Sequence, residues 1–351
     1  MRASFLLYGA NGFVGEAVAR LAVQEGLAPT IAGRDVAAIE RLGRELGTTL
    51  RVFSLDDTVK LDAAVHAVHV VLNCAGPFMR TARQMAESCL RGGTHYLDIT
   101  GEIPVYQDLA SRDADARARG VMLLPGIGFD VVPTDCLAVH LKRRLPSATR
   151  LTLAFGMRGP SRLPPGTQRT MIELAHHGIL VRRNGRLEPP ARRMKTLMAD
   201  FGRGPRQASL LTWGDVFTAY RSTGIPNIEV YAALSGALRA QLLAAAYLKP
   251  LFKPAVIRRL LQRTVTRGAT PDERARTTAH VWGRVEDDAG GSAVSRLHGP
   301  EATVEWTARA ALAGVRRVLA GDAPAGYKTP AGAYGADFVM EVPGVAREDV
   351  S

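Results

Sequence analysis

The sequence predicts an α/β protein: a Rossmann-like, doubly wound parallel sheet with a second α+β domain. Three observations carry this. Short apolar runs alternate with helical stripes over the first 130 residues, a Gly-x-x-Gly-x-x-Gly turn joins the first strand to the first helix, and the alternation stops after Pro133.

Taken in order, Ser4–Tyr8 is a short apolar run suited to a buried parallel strand. Over Phe13–Glu25 the residues Phe13, Val14, Ala17, Val18, Leu21 and Ala22 form a helical stripe that Gly26 ends. Thr30–Ala32 is a second strand, and Val36–Leu46 is a helix closed by Gly47. Leu50–Phe53, Val68–Asn73, Tyr96–Ile99 and Val121–Leu124 read as strands three to six, with Thr81–Leu90 and Val105–Arg119 helical between them. Strands separated by single helices make right-handed βαβ units. Beyond Pro133, Thr134–Leu145 is one more helix and Arg150–Gly156 alternates like an antiparallel strand. Arg158–Pro165 and Glu188–Arg206 are rich in Pro, Gly and Arg and read as loops. Ile228–Leu234 and Thr277–Glu286 are strand-like, and Ala237–Gln262 is a helical pattern interrupted at Pro250 and Pro254. Val304–Leu319 is an amphipathic helix, followed by a Gly/Pro loop over Gly326–Ala336 and a last short element. No repeat of 20–50 residues is present.

Composition bounds the function classes. With 351 residues, 46% apolar and 22% charged, the chain has globular usage and a length that favours two lobes. The three cysteines, Cys74, Cys89 and Cys136, are too few for a disulfide framework, which favours a reducing, cytoplasmic setting. The apolar run near Met1 is too short for a signal peptide or a membrane span. Residues 1–130 carry a net charge of −2, residues 131–300 carry +16 and residues 301–351 carry −2. The middle region is thus a basic lobe. It reads first as an arginine-rich surface, since only six of the 45 cations are Lys, and second as a site for an anionic partner.

The turn Gly9-Ala10-Asn11-Gly12-Phe13-Val14-Gly15 carries the chemistry of the first lobe. Gly9 permits a tight turn, Gly12 lets the backbone approach a pyrophosphate, and Gly15 lets helix and strand pack closely. The phosphates then sit at a helix N-terminus, where unpaired amides and the dipole favour negative charge. At the end of the second strand, Gly33 gives room and Arg34 supplies a guanidinium suited to a 2′-phosphate, so the cofactor is read as NADP(H). Asp35, one residue later, is the alternative that would favour NAD through the ribose hydroxyl. Cys74-Ala75-Gly76-Pro77 follows the fourth strand with small residues past which the ribose and nicotinamide side can lie. Asp56 is placed either at the adenine side or as a helix cap.

Together these segments resemble the saccharopine dehydrogenase-like family of NADP-binding reductases. The resemblance rests on Tyr8–Gly15, Ala32–Arg34, Asn73–Phe78, Tyr96–Glu102, Gly128–Asp135, Trp213–Asp215, Ser222–Asn227 and Thr329–Ala331. It implies a C-terminal segment, roughly residues 300–351, that returns to the nucleotide lobe, giving an NADP-binding domain of 1–133 plus about 300–351 and a substrate domain of 134–300. The family includes saccharopine reductases, which reduce an imine, and proteins similar to trans-acting enoyl reductases, which reduce a C=C bond on an acyl chain. Gly128-Phe129-Asp130-Val131 departs from the Gly-x-Asp-Pro-Gly segment of amino-acid-binding members, which turns the expectation away from saccharopine itself.

Several familiar sites are missing. No Tyr is followed four residues later by Lys, and neither H-E-x-x-H, C-x-x-C nor G-x-S-x-G occurs. No metal ligand set is expected. The remaining chemistry is hydride transfer from a nicotinamide, with a side chain supplying the proton. Candidate donors at the ends of strands five and six are Tyr96, Asp98, Glu102 and Asp130, each also suited to a cap or loop hydrogen bond. In the second lobe Arg169, Glu173 and His176/His177 share a helical face, and Tyr220 lies beside Ser222-Thr223; either group is a candidate lining for a substrate cleft. The apolar stretch Val230–Leu248, followed by Lys249, Lys253, Arg258, Arg259 and Arg263, reads as a core helix pair with a basic face. Its alternative is a surface for an acyl-carrier protein or an anionic membrane. Nucleic acid is not expected, since aromatics do not interleave the basic runs. The expected function is an NADP(H)-dependent reductase of a C=C, C=N or C=O bond in a hydrophobic small molecule or acyl substrate, as a homodimer or otherwise. The rival is a non-catalytic NADP sensor whose basic lobe meets a protein or membrane.

Overall fold

The computed structural model describes residues 5–160, 162–174, 178–191, 195–234, 236, 239 and 254–350. The chain divides into two compact units, Met1–Val132 with Thr303–Tyr334, and Pro133–Ala302 with Gly335–Ser351.

The first unit is built on a seven-stranded sheet. Its strands in chain order are β1 (Phe5–Tyr8), β2 (Thr30–Gly33), β3 (Leu50–Val52), β4 (Val70–Asn73), β5 (His95–Asp98), β6 (Met122–Leu124) and the two-residue β15 (Gly326–Tyr327). The spatial order is β15-β6-β5-β4-β1-β2-β3 and every pairing is parallel. β1 and β4 are buried along their whole length, which is why they read as unbroken apolar runs rather than alternating ones. Helices α1 (Phe13–Gln24), α2 (Val36–Leu46), α3 (Thr58–Val65) and α4 (Ala82–Gly92) connect the strands. α2 and α4 each end on a glycine in the left-handed region, Gly47 and Gly93. The helix expected over Val105–Arg119 is two helices, α5 (Ile103–Ala110) and α6 (Asp113–Ala118). Ser111 breaks it by donating its hydroxyl to the Asp108 carbonyl.

Chain order reverses between β1 and β4, so the carboxyl ends of these strands flank the crevice where open α/β sheets bind ligands. The helix Thr307–Leu319 packs with α1, β4 and β5, and β15 then adds a seventh strand beside β6. The expected return of the C-terminal segment to this lobe ends at Tyr334. The remainder, expected in the nucleotide lobe to residue 351, belongs to the second unit, where β16 (Ala346–Val350) pairs with the strand Ser292–Gly299. Side chains of the helix Val132–Arg144 hold it there: Asp349 meets His140 at 2.7 Å and Arg144 at 3.3 Å.

The second unit is a mixed sheet in the order β10-β11-β12-β7-β13-β14-β16, with β8 and β9 attached at β12. Its strands are β7 (Arg150–Arg158), β8 (Val181–Arg183), β9 (Arg186–Glu188), β10 (Thr196–Asp200), β11 (Pro205–Leu211), β12 (Asn227–Ala233), β13 (Thr278–Glu286) and β14 (Ser292–Gly299). β7 is antiparallel to β13 but parallel to β12, so the expectation of an antiparallel strand holds on one edge only. The expected loop over Glu188–Arg206 contains β10, which pairs with β11; its Arg-rich surroundings hide a five-residue strand. One face of the sheet packs on α7 (Val132–Arg144), where Gly283 lets Leu137 and Leu141 approach closely. The other face buries Ala154, Val181, Ala199, Phe201, Ala208, Leu210 and Tyr231. Among the described residues no helix is long and apolar enough to cross a membrane. The expected apolar-basic stretch over 230–263 lies in part outside the described residues; its start, Val230–Ala233, is strand rather than helix, and Val256 and Leu260 on its last helix (Ala255–Leu261) are exposed.

Candidate active site

The Gly-rich turn follows β1 and closes against two neighbouring strand ends. Gly9 sits at φ +80° and donates its amide to the Ala32 carbonyl at 2.8 Å. A Cβ on Gly9 would lie 2.8 Å from the Ala75 nitrogen, and one on Gly15 would lie 2.2 Å from the Gly9 carbonyl oxygen. Only glycine fits either place, and backbone on both sides leaves nothing to yield. Gly12 is the N-cap of α1 and makes no side-chain cap, as a glycine must. Gly33 faces this turn, with its missing Cβ 2.8 Å from Asn11 Oδ1. Ala10, Asn11, Phe13 and Val14 complete the loop, and Cys74 donates its amide to the Tyr8 carbonyl at 2.8 Å. The glycines therefore form a cradle that side chains would fill, which is the fit a dinucleotide pyrophosphate requires.

At the adenosine side, Arg34 is exposed just beyond β2. The Tyr8 ring lies 5.2 Å from Phe53, and its hydroxyl donates to the Phe53 carbonyl. Burial raises the Tyr8 hydroxyl above its usual range, Arg34 opposes this and Asp56 adds to it, so both charges stand near that ring. Asp56 accepts from the Ser54 hydroxyl at 3.1 Å, while the cap of α3 is Asp57. Asp35, the alternative ribose ligand, is committed to α2: its carboxylate accepts from the Ala38 amide at 3.0 Å. Arg34, exposed beside the turn, is a side chain that could hold a 2′-phosphate.

The loop after β4 is held from beneath. Asn73 is fully buried; its oxygen accepts from the Ala75 amide at 3.0 Å, and its nitrogen donates to Thr81 and Tyr96. Tyr96 donates to Asp98 Oδ2 at 2.7 Å, and Asp98 Oδ1 accepts from the Thr100 and Gly126 amides, both at 2.9 Å. Glu102 uses both carboxylate oxygens on the loop, accepting from the Phe78 amide at 2.9 Å and the Met79 amide at 2.8 Å. These bonds seat Gly76 and Pro77, joined by a cis peptide, at the rim of the crevice.

The three catalytic candidates therefore separate. Tyr96 and Glu102 are 0% exposed and their polar atoms are spent on the framework, so they position the loop and offer nothing to a ligand. Asp130 is different. It follows β6 at the same carboxyl edge, is half-buried, and its carboxyl packs on the bare Cα of Gly101, where a Cβ would come within 2.8 Å. No hydrogen-bond donor serves it among the described residues. Burial first, then the negative charge of Glu102, push its carboxyl up to about 7. Asp98 is also raised to about 7 by burial, but three donors hold it in place. Beside Asp130, Phe129 donates its amide to Thr307 and meets the Trp306 ring edge-on at 5.3 Å. No spacing marks Trp306 as a neighbour of Phe129, because the two are remote in the chain.

In the second unit no hydrogen bond, ion pair or ring contact joins the expected cleft residues to one another among the described residues. Arg169 is exposed on α8 (Pro165–Leu174). Tyr220 lies on α9 (Asp215–Thr223) under the Arg182 guanidinium, 4.1 Å from the ring centroid, and Arg182 itself donates to the Val216 carbonyl. That makes Tyr220 part of the packing of β8 onto α9. His176 and His177 lie outside the described residues.

Comparison with known proteins agrees with this geometry. Residues 5–124 match the family described as the saccharopine dehydrogenase NADP binding domain. A trans-acting enoyl reductase of Mycobacterium leprae is 32% identical over 148 residues, covering 40% of this chain and 35% of that protein. A saccharopine dehydrogenase-like oxidoreductase of Bos taurus is 26% identical over 161 residues, covering 40% and 37%. The matched region thus spans little more than a third of these relatives. The structure of saccharopine dehydrogenase (L-Glu forming) from Saccharomyces cerevisiae shares the fold over 99% of this chain and 100% of that one, with a TM-score of 0.66 at 13% identity. The matched stretch, residues 5–124, is similar to an NADP-binding domain and contains the cradle of Gly9, Gly12, Gly15 and Gly33 with Arg34 beside it.

Proposed function

We propose that this chain is an NADPH-dependent reductase and that Asp130 delivers the proton that completes reduction. The observation that carries the reading is the half-buried Asp130 carboxyl, without a hydrogen-bond donor among the described residues, at the carboxyl edge of β6 and on the same sheet edge as the nucleotide cradle. Bound NADPH supplies the hydride. The chain's own residues do the rest. The glycine turn holds the phosphates, Arg34 selects the 2′-phosphate, and Glu102 fixes the loop Gly76–Met79 from below. Asp130, with its proton held to about pH 7, gives that proton from a carboxyl oxygen to the atom beside the one that receives hydride.

A conjugated C=C bond in an acyl or other hydrophobic substrate is the preferred acceptor, ahead of C=N or C=O. The similarity to a trans-acting enoyl reductase supports this choice. The commitment of Tyr96 to Asp98 also argues against a tyrosine-driven carbonyl reduction. The test is NADPH oxidation with a panel of enoyl thioesters, enones, cyclic imines and ketones. Turnover with the enoyl compounds supports the reading. NADPH binding without turnover of any of them would favour a nucleotide sensor instead.

A further inference from the structure

The second sheet carries a cluster of charge that the reductase reading does not use. At one end of its β7–β13–β14 ladder, on the face that also buries Ala154 and Tyr231, Gly156 pairs with His280 and His280 with His298. The two imidazoles are joined Nδ1 to Nδ1 at 2.8 Å, and Thr278 meets the other nitrogen of His280 at 3.0 Å. Arg158 ends β7 opposite Thr278, and Arg206 on β11 donates to the Met157 carbonyl at 3.1 Å. Because Gly156 has no side chain, the Arg206 guanidinium reaches over the strand, 3.5 Å from where a Cβ would stand.

The charges do not balance. The carboxylates nearby are already engaged: Asp200 with Arg296 at 2.9 Å, and Glu348 with Arg296 and His298, each at 3.5 Å. Arg158, Arg203 and Arg206 have no carboxylate partner among the described residues, and Arg158 Nε is buried without a hydrogen bond. Burial, then His298 and these three arginines, drive His280 down to about 4, and burial and Arg158 together weaken the hold of Arg206 on its proton. Like charges gathered on a half-buried surface cost free energy unless an anion neutralises them. A monocarboxylate would neutralise one of three. Trp282, two residues from His280 and on the same face, is half-buried and packs on the apolar cluster of Tyr231 and Ala233, so an apolar body has a place beside the charge.

We infer that Arg158, Arg206 and the His280–His298 pair form a binding site for the phosphate monoester of a small organic ligand with an apolar body. A dianion bridges the guanidiniums with paired hydrogen bonds, and Arg203, exposed on the adjoining loop, adds attraction at longer range. The site stands apart from the nucleotide cradle in its residues, and its existence does not depend on the reductase reading.

Calorimetric titration at pH 8 with phenyl phosphate, benzoate and phenol tests it, in the presence of saturating NADPH so that the cradle is filled. Phenyl phosphate is expected to bind at least tenfold more tightly than benzoate, with phenol weaker still. Arg158→Gln and Arg206→Gln are each expected to weaken phenyl phosphate at least tenfold and to leave NADPH affinity unchanged. Circular dichroism and the retained NADPH affinity report that the variants fold. Equal binding of phenyl phosphate and benzoate, or a Kd that neither substitution moves, would overturn the assignment.

Discussion

The two units solve opposite electrostatic problems. In the nucleotide unit Asn73, Tyr96, Asp98 and Glu102 form short, local bonds to strand ends and loop amides at the carboxyl edge, and Asp130 has no hydrogen-bond donor among the described residues. In the second unit the balance runs the other way, with three arginines gathered around a histidine pair and the nearby carboxylates spent elsewhere. The lesson is that a group without a partner is more informative than a charged residue as such. Glu102 and Asp130 are both acidic residues near one edge, yet one is a clamp and the other is a candidate acid, and only their partners tell them apart.

The largest break in this comparison is Gly15→Ala. Its methyl would stand 2.2 Å from the Gly9 carbonyl oxygen, so the turn must open. The expected result is loss of more than tenfold in NADPH affinity, together with about 1–3 kcal/mol of stability from overpacking, read by nucleotide fluorescence and urea unfolding. Next is the clamp. Glu102→Leu strips the buried Phe78 amide of its acceptor, and the Met79 amide of another that water can replace. A cost of about 1–3 kcal/mol is expected, with a fall in Tm of several degrees and a rise in KM for NADPH. If the variant melts like the wild type, Glu102 is not a clamp and its carboxylate must be considered anew as an acid.

Arg34→Ala sharpens the nucleotide side alone. Removing a charge-assisted contact to the 2′-phosphate is expected to weaken NADPH by about tenfold to a hundredfold, since such bonds contribute about 1.5–3 kcal/mol. NADH binding should hold, which competitive titration of the two nucleotides would show. The smallest effect belongs to the second unit. Tyr220→Leu removes the platform under Arg182 and is expected to cost about 1 kcal/mol, visible in thermal unfolding, with no change in substrate KM. A change in KM confined to the substrate would restore Tyr220 as a cleft residue.

Much of the nucleotide unit was legible because its information is local. Strand, glycine turn and helix N-terminus lie within Phe5–Gln24, and each glycine's role follows from backbone approach over a few residues. The split of α5 from α6 escaped because a single serine hydroxyl competing for a carbonyl leaves no trace in apolar periodicity. The second unit was less legible because its pairings are remote. β16 joins β14 from about fifty residues away, and β7 sits between partners of opposite direction. His280 and His298 stand opposite each other only through the β13–β14 register, so no spacing in the sequence marks them as a pair. Asp130 was visible as one acid among several. What singled it out, the absence of a donor beside a bare Gly101, is a property of packing.

The central claim is that Asp130 gives the proton, and the most direct test is the pH profile of NADPH-dependent enoyl reduction by the wild type and Asp130→Asn. Burial holds the Asp130 proton to about pH 7, so the acid form is present below that pH and is lost as pH rises through it. The wild-type kcat is expected to fall above about pH 7. The variant is expected to be slower by about a hundredfold to ten-thousandfold, without that limb and with NADPH affinity retained. An Asp130→Asn enzyme with wild-type kcat and the same alkaline limb would contradict it.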